Sequence, residues 1–308
     1  MTSDAIAASQ VPPAGSVCVD HAAHFVPDID AAGTALEALG FTLTPFSAQS
    51  HRLQPDGPLV SAGTGNRCVM FERGYLEFLT PTGDTPMADQ LRTAIARYVG
   101  VHLIAFGTGA PEDDHARLVT EGFEPMTPVA LQRPISTENG EDTARFTVLR
   151  VPPGKMVEGR IQLCQHRTPH LLWQSRWTGH RNAVTAFVDV LLCVADPAAT
   201  AARYSRYTGL PALETHGYWR IGTARGAVLF ADPQRVQHAL GAHAPALPWI
   251  AGYVLETRDV NVTRALFTAA GCDVRPLGTG RFATQLPQAL GGVAVIQSAG
   301  SDLFTLRG

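Results

Sequence analysis

The chain has 308 residues, enough for two domains or one large one. Hydrophobic residues make up 45 % and charged residues 17 %, below the ~25 % of an average globular protein, so a sizeable core is expected and disorder is not. The formal net charge of −3, from 24 basic and 27 acidic residues, supplies no global field for nucleic acid, and no apolar stretch is long enough for a membrane helix.

The first 15 residues lack a basic region and a long apolar run, so they read as a disordered lead rather than a signal, and the expected compartment is the cytoplasm. Five cysteines (Cys18, Cys68, Cys164, Cys193, Cys272) contain no CxxC pair and read as small buried apolar residues of a reducing environment. With 29 Gly and 22 Pro, the chain favours many short elements over a helical bundle.

A pattern then recurs four times: apolar strand, Asp, Ala-rich helix, Gly. The first copy is VCVDHAAHFV, Asp28, IDAAGTALEAL and Gly40-Phe41. The second is GVHLIAFG, a helix from Pro111 to Thr120, and Gly122-Phe123. The third is AFVDVLLCVA, Asp196-Pro197, AATAARYSRYT and Gly209. The fourth is IAGYVLETR, Asp259, VNVTRALFTAA and Gly271. Each Asp stands where a helix N-cap must accept orphan N–H groups, and each Gly where a left-handed residue ends the helix. The Asp-to-Gly spacings in copies one, three and four are 12, 13 and 12 residues; the second copy lacks the Asp.

Short β-type runs follow each Gly. They are FTLTPF, NRCVMFE and YLEFLTP; VALQRPI, ARFTVLRV and RIQLCQH; YWRIG and AVLFAD; RFATQL and GVAVIQS. Each unit therefore reads β-α-β-β-β, with an extra helix capped by Thr85 after the first. Gly63-Thr64-Gly65-Asn66 lacks the rest of a phosphate loop and reads as a hairpin turn, so no nucleotide cofactor is expected. The segment LWQSRWTGHRN, residues 172–182, reads as a packed linker between the halves.

The unit, with Asp20-His21, Asp28, Leu39-Gly40-Phe41 and Tyr75-Leu76-Glu77-Phe78, resembles the vicinal-oxygen-chelate superfamily, which includes glyoxalase I, extradiol dioxygenases and fosfomycin-resistance proteins. GTGNRCVMFERGYLEFLTPT and EGRIQLCQHRTPHLLWQSRW resemble bacterial glyoxalase-like domain proteins. The specific resemblance covers about residues 17–182; the C-terminal half shares the module shape only. It implies an α+β fold of four βαβββ modules in two pairs, each pair a cupped, half-open mixed β-barrel with outer helices. The corresponding division is a lead at 1–15, a glyoxalase-like pair at 16–175 and a degenerate pair at 176–308.

The same resemblance implies one divalent metal held by the first and last strands of two modules. Matched residue by residue, that set is His21, Glu77, His102 and Gln162, with internal spacings of 56 and 60. Such donors suit Zn, Ni, Fe(II), Co or Mn. Gln162 departs from the family's usual carboxylate; its amide oxygen can coordinate but takes no proton, so Glu77 is the expected base. Strand alternation places Tyr75, Glu77 and Leu79 on one face, Gly100, His102, Ile104 and Phe106 on one, and Arg160, Gln162, Cys164 and His166 on another. His166 is then a substrate contact or proton shuttle. Arg160 anchors a substrate carboxylate or pairs with Glu158, and Phe106 and Arg67 are further candidates to line the pocket. His24, three residues from His21, reads as structural.

The expected function is a metal-dependent lyase or isomerase of glyoxalase type, acting on a small oxygenated substrate. Two alternatives stand beside it: an Fe(II) dioxygenase of extradiol type, and a metal-free protein that sequesters a small molecule in a pocket lined by Phe71, Phe106 and tryptophans. In extradiol dioxygenases the resemblance runs in reverse, with the metal in the C-terminal pair. Exposed strand edges allow a homodimer.

Overall fold

The computed structural model describes residues 3–52, 58–302 and 304–306. A helix, α1 (Ser3–Ala8), opens the chain. The first unit is β1 (Val17–Phe25), α2 (Ile29–Ala38), β2 (Ser47–Arg52), β3 (Leu59–Met70) and β4 (Tyr75–Pro81), followed by α3 (Pro86–Arg97). The second is β5 (Gly100–Thr108), α4 (Pro111–Thr120), β6 (Val129–Thr137), β7 (Gly140–Arg150) and β8 (Arg160–His166). Two short helices, α5 (Pro169–Leu172) and α6 (Ser175–Thr178), lead to the third unit. That unit is β9 (Val184–Cys193), α7 (Pro197–Thr208), β10 (Leu213–Thr215), β11 (Tyr218–Gly222) and β12 (Ala227–Ala231), followed by α8 (Pro233–Leu240). The fourth is β13 (Trp249–Thr257), α9 (Val260–Ala269), β14 (Val274–Pro276), β15 (Arg281–Gln285) and β16 (Val293–Ser298).

Every unit pairs its strands alike. The first strand lies parallel to the last, which is antiparallel to the third, which is antiparallel to the second. First strands then join antiparallel, β1 to β5 and β9 to β13, and β13 meets β5 through Ile250 and Val101. The sixteen strands of the described residues thus form one hydrogen-bonded sheet of a mixed α+β fold. No helix among the described residues is long and apolar enough to cross a membrane.

The helix punctuation follows the sequence. Asp28 accepts from the N–H groups of Asp30 and Ala31, Asp196 from Ala199, and Asp259 from Asn261 and Val262. The α4 helix has no side-chain cap and begins on Pro111. Gly40, Gly122, Gly209 and Gly271 all have φ between 72° and 86°, the left-handed conformation that ends these helices.

Several expectations are corrected. The lead is ordered over its described part: Ile6 and Gln10 are buried, and the Gln10 side chain donates to the Glu72 carbonyl and accepts from Gly74 N. FTLTPF is not a strand; the β2 strand begins one residue after it, at Ser47. Gly63-Thr64-Gly65-Asn66 is no hairpin turn but the middle of β3. The glycines there serve close approach, since a Cβ on Gly65 would collide with the Phe46 ring. Residues 172–182 do pack as expected: Trp173 is fully buried, and Asn182 donates to the Leu39 carbonyl and accepts from Val184 N.

Candidate functional site

The site is built on one face of β4, β1, β5 and β8. The registers set two rows across these strands: Tyr75, His21, Ala105 and Gln162, then Glu77, Ala23, Leu103 and Arg160. Residues opposite one another share a face, so five of the side chains singled out from sequence project together, with His166 further along β8.

A bulge adds a residue that alternation cannot reveal. Val19 pairs with Phe106 and His21 with Ala105, leaving Asp20 without a partner on β5. The extra residue breaks the alternation, and Asp20 and His21 turn toward each other although they are adjacent. The Asp20 carboxylate accepts from His21 Nδ1 at 2.7 Å and from His166 Nε2 at 2.9 Å, both through Oδ2. Arg225, from the β11–β12 turn, brings Nη2 to 3.6 Å of Asp20 Oδ1. All three members are buried, and among the described residues they are the one group of His, Cys, Asp or Glu side chains with potential ligand atoms within 4.8 Å of one another.

Electrostatics fit this arrangement. Burial alone would raise the Asp20 pKa, but His166 and then His21 outweigh it and hold the carboxyl well below the usual carboxylate range. Asp20 Oδ1 and His166 Nδ1 are buried with no hydrogen-bond partner. Tyr75 stacks on His21 with ring centroids 4.2 Å apart, and its hydroxyl lies 3.4 Å from His21 Nε2. Burial, and next the Asp20 charge, push the Tyr75 phenol well above its ordinary value, so it stays protonated. Cys164 is held as a thiol for the same two reasons. Trp173 closes one side, its ring 4.9 Å from His166.

The expected metal set is not gathered as one cluster. His21 and His166 meet through Asp20, which regular alternation would turn to the face opposite His21. Glu77 accepts a hydrogen bond from Asn66 Nδ2. Gln162 Oε1 faces Arg150 Nε at 3.4 Å. His102 is the unpaired residue of a second bulge, because Ala23 pairs with Leu103 and His24 with Val101. Its Nε2 bonds the Tyr98 carbonyl at 2.8 Å, and its ring stacks on Tyr98 at 4.0 Å. Matching the two modules through their bulges makes His102 the counterpart of Asp20 rather than of His21.

Three pocket residues are also relocated. Phe106 lies on the opposite face of β5, buried with Val69, Phe71 and Leu118 in the core beneath the helices. Arg67 packs over α2, with Nε donating to the Thr44 carbonyl and Nη2 3.8 Å from Glu37. Arg160 stays on the site face but not with Glu158, whose partner is Arg203. It donates to Gln90 Oε1 at 3.3 Å and lies over the Phe25 ring. Burial, with Arg150 beside it, lowers its pKa to about 10, so it remains a cation at neutral pH. His24 is structural as read, bonding the Leu290 carbonyl at 2.8 Å and the Tyr253 hydroxyl at 3.1 Å.

Two imidazoles and a carboxylate, buried together and with Asp20 Oδ1 and His166 Nδ1 free of hydrogen bonds, form a donor set that fits a divalent transition metal. The fold and this site define a module-built protein with a buried Asp-His-His cluster on the sheet between its first two units. Residues 19–208 match the family described as the glyoxalase-like domain. The chain belongs to that family, within the vicinal-oxygen-chelate superfamily. No curated protein sequence matches the chain. Among solved structures, a hypothetical protein from Staphylococcus aureus superposes with a TM-score of 0.63 at 11 % identity, covering 92 % of this chain and 99 % of the other. A variant of 4-hydroxymandelate synthase from Streptomyces coelicolor gives 0.55 at 16 % identity, with 96 % of each chain covered. A Mn(II)-bound glyoxalase from Novosphingobium aromaticivorans gives 0.50 at 8 % identity, covering 94 % and 83 %.

Proposed function

We propose that the protein is a metal-dependent enzyme of glyoxalase type, a lyase or isomerase for a small substrate carrying two neighbouring oxygens. The units pair as two cupped half-open barrels, over residues 16–175 and 176–308, and the chemistry sits in the first. The observation that carries this reading is the buried Asp20, His21 and His166 cluster with its unpartnered Oδ1 and Nδ1 atoms. These three residues hold the ion. When bound, a divalent metal supplies a Lewis acid for the two substrate oxygens.

The rest of the face supplies the remaining functions. Glu77, on the row beyond Tyr75, is the one carboxylate on those two rows and serves as the base. Its hydrogen bond from Asn66 orients it. Arg160, opposite Leu103 on the same row, receives the substrate's negative charge. Tyr75 holds the His21 ring in place.

Elemental analysis of tag-free protein tests the site. We expect near-stoichiometric metal after reconstitution, lost in the His21→Ala/His166→Ala double variant. Absence of metal after exposure to Fe(II), Ni, Zn, Co and Mn would overturn the reading and favour a metal-free binding protein. A second reading rests on the donor set itself, since two histidines and one carboxylate also serve non-haem Fe(II) oxygenases. Oxygen uptake with catechols by the Fe(II)-loaded protein, and none with 2-oxoaldehydes as substrates by any loaded form, would favour it.

A further inference from the structure

The site face of the first half carries more positive charge than a single anchoring arginine. Its strands run in the order β6-β7-β8-β5-β1-β4-β3-β2, and β6 and β2, the two ends of that run, come into contact. The run is therefore curled, and because α2 and α4 pack against its other face, the site residues lie on the inside. The row of Tyr75, His21, Ala105 and Gln162 ends at Arg150 on β7, directly opposite Gln162. Arg160 is two residues from Gln162 on β8, hence on the same face. Arg150 and Arg160 are diagonal cross-strand neighbours, with Cα atoms ~7–8 Å apart, a gap that two long side chains span.

Neither guanidinium is neutralised. Among the described residues both meet only neutral amides: Arg150 Nε faces Gln162 Oε1 at 3.4 Å, and Arg160 Nη2 donates to Gln90 Oε1 at 3.3 Å. The two Nη groups of Arg150 have no partner there and are not buried. Both arginines are half-buried, as is Glu77, so the pair is open to a ligand. The Phe25 ring lies 5.6 Å from the Arg160 guanidinium and steadies it. Like charges set side by side without an anion are destabilising, and partial burial adds to the cost.

The pair has the chemistry of an oxyanion site. Glu77 lies on the Arg160 row, three strands across the curl, and its charge acts on Arg160. Two guanidiniums and that carboxylate leave one net positive charge, which a carboxylate neutralises and a phosphate dianion exceeds. Phe25, Leu103 and Val148 beside the pair are apolar and suit the methylene chain of an acid. Three strand spacings of ~4.8 Å separate β7 from β1, so the pair serves a different group of the substrate from the oxygens at the His21 end.

We propose that Arg150 and Arg160 together bind a carboxylate at the end of the substrate remote from its two neighbouring oxygens, which makes the substrate an acid carrying both groups. The placing of those oxygens rests on the metal centre proposed for Asp20, His21 and His166; the arginine pair does not. Titration calorimetry of the Mn(II)-reconstituted full chain tests it with two pairs of probes, 2-oxoglutarate against 2-oxopentanoate and 2-oxoadipate against 2-oxohexanoate. Within each pair only a terminal carboxylate replaces a methyl group. We expect the dicarboxylate of at least one pair to bind about 10-fold or more tightly. Arg150→Gln and Arg160→Gln should each remove most of that preference at wild-type metal content, and Arg67→Gln, on the outer face, should leave it unchanged. The metal-free chain gives an independent reading: adipate should bind more tightly than hexanoate or inorganic phosphate, and Arg150→Gln should lose the difference. That result in a chain that takes up no metal would contradict the metal centre and keep the arginine site. The proposal is overturned by equal binding within both pairs, by an undiminished preference in folded Arg150→Gln, or by phosphate binding the metal-free chain more tightly than adipate.

Discussion

Asp20 and His21 show what one inserted residue does to a strand. Regular alternation would put them on opposite faces; the bulge lets the Asp20 carboxylate bridge His21 and His166. Alternation was enough to place Glu77, Arg160, Gln162 and His166 on the site face, because β4 and β8 are regular. It misplaced His102 and overlooked Asp20, because both occupy bulges, and a bulge leaves no mark in the local pattern of apolar residues. The consequence is testable. Asp20→Asn should weaken metal binding at least 10- to 100-fold, while His102→Ala should leave it unchanged, as read by metal competition with a chelating dye. The buried histidines also set the acid limit. Burial lowers the pKa values of His24 and His102 to about 4, so both stay neutral in the fold while the unfolded chain protonates near 6.5. Each group's contribution is complete above about pH 6.5 and is lost as pH falls toward 4. Urea denaturation should therefore show stability falling by roughly 3 kcal/mol per histidine over that interval, with a shallower slope in His24→Leu.

At the scale of elements, the repeated Asp and Gly punctuation identified α2, α7 and α9 because capping is local chemistry. The α8 helix carried the same signals, Asp232-Pro233 and Gly241, and was missed because it falls outside the repeat. The short strands β2, β10 and β14 were not legible, since their pairing to neighbours holds them rather than any apolar alternation. The α1 helix was hidden for a similar reason: its burial depends on distant partners. Asp259→Ala should lower stability by about 1 kcal/mol, the usual worth of such a cap, measured by chemical denaturation. Gln10→Ala should cost roughly 1–3 kcal/mol, because it leaves the Glu72 carbonyl and Gly74 N–H without their side-chain partner.

At the scale of the molecule, the two halves are joined by specific bonds as well as by sequence. Val19 N donates to the Arg225 carbonyl, Ala224 N to Val17, Glu72 N to Thr185, and Phe187 N to Arg73. His24 reaches Leu290 and Tyr253, and Arg225 reaches Asp20 in the candidate site. The C-terminal half therefore helps to shape the candidate site in the first half. Calorimetry of the full chain should show one unfolding transition; two separated transitions would mean that these bonds do not couple the halves.

The proposed metal centre consists of Asp20, His21 and His166. X-ray absorption fine structure of the reconstituted protein tests it most directly by counting imidazole ligands. Two imidazoles in the wild type, falling to one in His166→Ala and staying at two in His102→Ala, is the predicted result. Two imidazoles persisting in His166→Ala, with one lost in His102→Ala, would contradict it and return the ion to the set of His21, Glu77, His102 and Gln162.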